Sequence, residues 1–125
     1  MNIKILMIVN AILAFVFGVA FVLFPAQLIT MYGVSADEPV KYLGQLFGAA
    51  LIGFAILTWI ARNAGASDAR KAIVSALFIA ELLGFIISLI AQLGNVVNQL
   101  GWSTVVLYLV LTSWWGYFQF SKPAS

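Results

Sequence analysis

The sequence predicts an all-α, polytopic membrane protein: a bundle of four transmembrane helices making a single domain over residues 1–125. Three observations predict it. Hydrophobic residues make up 64% of the chain and charged residues 8%, with a mean hydropathy of +1.10. A water-soluble domain of this size needs far more polar surface than that to cover its core. The apolar residues gather in four runs of about 20, the length that crosses a hydrocarbon layer. The few charged residues sit almost entirely between those runs, where they orient the chain in the bilayer.

The first span is expected over residues 3–24, interrupted only by Lys4 and Asn10, with Pro25 ending or bending it. A basic start, an apolar run and the small residues Gly18-Val19-Ala20 also fit a cleavable signal peptide. The apolar run continues to Phe24, longer than a usual signal core, so a retained span is the expectation. Residues 25–32 are amphiphilic and suit a short interfacial helix, with Ala26, Leu28, Ile29 and Met31 along the interface before Gly33 turns the chain. Ser35 and Glu38, three apart, form a capping-box pattern ahead of Pro39, and the second span follows over residues 42–61, leaving the membrane at Trp59 and Arg62.

Residues 63–67, rich in Gly and Ala, read as a connector. Asp68, Arg70 and Lys71 then open a third helix whose span is residues 72–91. Residues 93–101 hold Asn, Gln and Gly but no charge and read as a surface turn. The fourth span, residues 102–120, begins at Trp102 and ends in an aromatic belt of Trp114, Trp115, Tyr117 and Phe118, with Lys122 and Pro123 beyond. Lys4, Arg62, Arg70, Lys71 and Lys122 fall on one side of this arrangement and Lys41 alone on the other. Basic residues favour the cytoplasmic face, so both termini and the middle loop are expected inside, in the cytoplasmic (inner) membrane of a bacterium. The two halves also match faintly at an offset of 65, with Val9, Ala11 and Ala26-Gln27-Leu28 against Val74, Ala76 and Ala91-Gln92-Leu93, as a duplicated hairpin would.

Absent residue types exclude much chemistry. With no Cys and no His, the chain has no disulfide, no reactive thiol, no His-ligated zinc or haem and no His-dependent catalytic triad. Neither a metal site nor a cofactor is expected, and no enzymatic activity. Six basic residues scattered along the chain make no nucleic-acid surface, despite a net charge of +2. The expected partners are the lipid bilayer and either further copies of the chain or a larger membrane complex.

Two features stand out as candidates for function. On the third helix Ala72, Ala76, Ala80, Gly84 and Ser88 recur every four residues, and the second helix adds Gly44, Gly48 and, displaced by one, Ala49 and Gly53. Small residues at this spacing let helix backbones approach closely in lipid. The second feature is Glu81, the only ionisable residue inside the third span, near its centre. A charged side chain at that depth costs at least about 2.5–3.5 kcal/mol, so it needs a partner, a proton or water. Helical periodicity places it on the face of Leu77, Gly84 and Ser88, towards the bundle. Thr112 and Ser113 on the fourth helix, Tyr108 one turn outward and Asn10 on the first helix lie at depths suited to hydrogen bonding with it.

These features admit a non-catalytic subunit or scaffold that works by helix packing, a proton- or cation-coupled transporter centred on Glu81, or a binder of lipophilic ligands. The stretches Gly18 through Phe24-Pro25 to Tyr32-Gly33, Gly48-Ala49 through Trp59-Ile60-Ala61-Arg62, and Gly101-Trp102 resemble small four-helix membrane proteins of the DUF4345 or DoxX-like type, over most of the chain. The resemblance implies a four-helix topology and brings no catalytic residues with it.

Overall fold

The computed structural model describes residues 2–121, which fold into five α-helices: α1 (Ile3–Leu23), α2 (Pro25–Met31), α3 (Glu38–Ala61), α4 (Asp68–Leu93) and α5 (Gly101–Phe120). Three of them, α1, α3 and α4, are long and apolar enough to cross a membrane, which is the architecture of a membrane protein. The 20-residue α5 is not among them. Its apolar stretch is diluted by Ser103, Thr104, Thr112, Ser113 and Gln119 and by Trp and Tyr rings, whose polar atoms lower their hydropathy. Lys122 and Pro123 lie outside the described residues.

Local chemistry explains most helix boundaries. Asn2 caps α1 by accepting from the Lys4 N–H at 2.9 Å. Pro25 has no N–H to extend α1, so the chain bends at Phe24 and Pro25 opens the short α2. Gly33, at φ +78°, turns the chain towards α3. The cap of α3 is Asp37, which accepts from Val40 N–H at 3.0 Å, and not the expected Ser35 of a capping box. A cap at Ser35 would need the N–H of Pro39 for the first helical hydrogen bond, and proline has none. With Asp37 as cap that bond comes from Lys41 N–H, at 2.9 Å. Glu38 pairs with Lys41 at 2.6 Å. Ser67 caps α4 by accepting from Arg70 N–H at 3.2 Å.

The long helices pack as two antiparallel pairs, α1 with α3 and α4 with α5. In the first pair Gly18 lies against Gly48: a Cβ on Gly48 would stand 2.7 Å from the Gly18 carbonyl oxygen and 2.8 Å from Phe21 Cβ. Gly44 accommodates Ile29 of α2 and Phe21. In the second pair the ring of Tyr108 covers Gly84, and Ser75 donates to Gln119 Oε1 at 2.8 Å. The pairs join at the end bearing the described termini, in a core of Leu6, Met7, Ala61, Val74, Leu77, Leu111 and Trp115. Between α3 and α4, although they are consecutive, there is no extensive packing.

The small-residue pattern is used only in part. Ala72 and Ala76 are exposed, while Ala80, Gly84 and Ser88 are half-buried. Residues four apart advance about 40° around a helix at each step, so a stripe of this length winds across more than one face. A single neighbour cannot cover all of it. Gly53 has no atom of the described residues near the position a Cβ would take.

Candidate functional site

Between the two helix pairs lies a cavity of about 290 Å³. Its walls come from the middle of each long helix, with Leu13, Ala14 and Phe17 on α1, Leu51 and Phe54 on α3, Glu81 on α4, and Leu107 and Tyr108 on α5. The antiparallel pairs converge at the core around Trp115 and separate beyond it, which leaves the space. There the buried Asn10 accepts from Trp115 Nε1–H at 3.2 Å, satisfying two polar groups that would otherwise be stranded among apolar side chains.

At the opposite end Tyr32, Val97, Gly101 and Thr104 line the cavity, and the adjacent Asn98 holds the segments that carry them. Its backbone N–H donates to the Tyr32 carbonyl at 2.8 Å and its side-chain amide to the Met31 carbonyl at 2.9 Å. Its side-chain oxygen accepts from Leu100 N–H at 3.0 Å, and its own carbonyl accepts from the Gln92 side chain at 3.1 Å. Thr104 adds a hydrogen bond to the Tyr32 hydroxyl at 2.9 Å. One residue of the α4–α5 connection thus ties the chain after α2 to the end of α4. Residues 93–101 read as a surface turn, and nothing in their sequence distinguishes Asn98 from the neighbouring Asn95.

The cavity is partly open. The gap lies where α3 and α4 fail to pack, and two of its lining rings, Phe47 and Phe54, are 43% and 37% exposed. The outward faces of these helices carry large apolar side chains, among them Ile60 on α3 and Ile87 and Ile90 on α4. In a bilayer this side faces hydrocarbon.

Glu81 lines the cavity, half-buried, and among the described residues it makes no hydrogen bond or ion pair. Of the residues expected near it, Tyr108 and Asn10 line the same cavity. Thr112 and Ser113 do not. Thr112 is buried, its hydroxyl without a partner among the described residues, and Ser113 is exposed, its hydroxyl donating to the Leu109 carbonyl of its own helix at 2.8 Å. Ser88 joins the lining, its hydroxyl donating to the Phe85 carbonyl at 3.1 Å. Sequence reasoning missed the aromatic wall formed by Phe17, Phe21, Phe47 and Phe54. In spans so rich in apolar residues, these rings look no different from those that face lipid.

Among the described residues no three Asp or Glu side chains come together as a metal would need. What the site offers is one carboxyl group in an aromatic chamber, with amide and hydroxyl groups near its ends. No curated protein and no solved structure matches the chain. A family model does match, over residues 1–120, under the description "Domain of unknown function (DUF8292)". With nearly its whole length covered, the chain belongs to the DUF8292 family.

Proposed function

We propose that this protein is a four-span membrane protein, with both termini and the α3–α4 connection in the cytoplasm, that binds a small lipophilic molecule between its two helix pairs. The observation that carries the reading is the cavity: lined by apolar and aromatic side chains, partly open, and bordered by α3 and α4, which lack extensive packing on each other. Sites for small molecules are concave and mostly apolar, with a few polar groups to orient the ligand, and Glu81, Asn10 and Tyr108 supply such groups. The basic residues support the orientation, which suits a bacterial cytoplasmic membrane: Lys4, Arg62, Arg70, Lys71 and Lys122 fall on the proposed inner side and Lys41 alone on the outer.

The test is extraction. The protein purified in mild detergent should carry a lipophilic compound, detected by mass spectrometry at near one per chain. Ser88→Phe, which fills the cavity, should lose it while the helical circular dichroism is kept. Identical extracts from both proteins would refute the reading.

A packing-subunit role has its own support in α3, where Ala49 and Gly53 are exposed and Gly53 has open space beside it. Small residues so placed admit another helix, from a second copy or a larger complex. Disulfide crosslinking of Gly53→Cys in membranes distinguishes the two: a homodimeric product supports self-association, and its absence argues against it.

A further inference from the structure

We infer that the cavity selects small hydrophobic cations, amines or quaternary ammonium compounds, with the cationic centre held at Glu81. The inference rests on the ligand-binding reading above and names its ligand class.

Charge comes first. Among the described residues Glu81 is the one in the lining that bears a formal charge, and no Lys or Arg borders the space. The basic residues among those described sit at helix ends or in connections: Lys4, Lys41, Arg62, Arg70 and Lys71. Nothing in the cavity repels a cation, and the carboxyl group has no partner of its own among the described residues. A bound cation lets the carboxylate ionise as half of a neutral pair, which removes most of the cost of a lone charge in hydrocarbon. An anionic ligand would add a second negative charge, and a neutral hydrocarbon would leave the carboxyl group unsatisfied.

The walls agree with this choice. Leu or Ile would serve a purely apolar ligand as well as Phe does, but Phe17, Phe21, Phe47, Phe54 and Tyr108 make the lining rich in aromatic rings, whose faces attract cations through the ring quadrupole. The lateral opening favours compounds that partition into the bilayer before they bind. Size limits them further, since 290 Å³ is roughly ten water volumes. That admits about ten to fifteen non-hydrogen atoms and excludes a whole phospholipid.

The experiment compares two probes of one shape, benzyltrimethylammonium and neopentylbenzene, which differ by a cationic nitrogen in place of a carbon. Binding of each to the full chain in phosphatidylcholine nanodiscs is measured by equilibrium dialysis against protein-free nanodiscs. The cation should bind about tenfold more tightly than the hydrocarbon. Glu81→Gln should erase that difference by weakening cation binding and leaving the hydrocarbon unchanged, and Ser88→Phe should weaken both. Equal affinities in the wild-type chain, or a preference that survives Glu81→Gln, would overturn the inference while leaving a ligand-binding cavity in place. If neither probe binds, both readings fail. The wild-type comparison stands whether or not Glu81→Gln folds.

Discussion

Gly48 and Gly53 lie five positions apart on α3 and do different work. The first sits where two backbones meet, with the Gly18 carbonyl 2.7 Å from the place a Cβ would occupy, and the second faces open space. Gly48→Ala should therefore force α1 and α3 apart and cost about 1–3 kcal/mol, whereas Gly53→Ala should stay within about 0.5 kcal/mol. Reversible unfolding in mixed micelles, titrated with SDS, measures both. Spacing had marked the two glycines alike, because it shows which residues could admit a neighbour but not where the neighbour lies. The polar residues divide in the same way. Glu81 was conspicuous for its depth alone, yet Asn10 proved to be the partner of Trp115, and Ser113 bonds to its own helix.

At the scale of elements, the α4–α5 connection acts as a clasp through Asn98. Asn98→Ala removes the side-chain hydrogen bonds to the Met31 carbonyl and from Leu100 N–H. Hydrogen exchange should then quicken at Leu100 and across residues 93–101, while amides of α1 and α3 near Gly18 and Gly48 keep their protection. Exchange that is unchanged in the connection would show that the backbone bond to Tyr32 holds this end unaided. Helix limits were largely legible beforehand, since proline, capping side chains and glycine act within a few residues. Even there the cap of α3 moved from Ser35 to Asp37, for want of an N–H on Pro39. The clasp was not legible, because its partners are 67 residues apart in the chain.

For the whole molecule, the natural absence of cysteine makes topology directly testable. Ser35→Cys and Ala66→Cys place single thiols at exposed positions in the α2–α3 and α3–α4 connections. In intact cells a membrane-impermeant maleimide should label the first and not the second, and permeabilisation should expose both. Labelling of Ala66→Cys alone in intact cells would invert the proposed orientation, and labelling of neither or both would contradict a crossing of the membrane by α3.

Composition and spacing by themselves determined that the chain is helical, apolar and suited to a membrane, because hydrocarbon leaves a backbone few ways to satisfy its polar groups and demands long apolar runs. They also singled out Glu81, since a carboxyl group at the middle of such a run is conspicuous in any arrangement. Only the tertiary structure decided that α1 pairs with α3 and α4 with α5, and that the pairs meet at one end and part in the middle. It also decided that Glu81 and a wall of aromatic rings border the space between them. In lipid every apolar face is equally content against a neighbour or a solvent chain, so hydrophobicity could not choose the pairing. The choice fell to the close fit of particular small residues and to a few hydrogen bonds between residues distant in the chain.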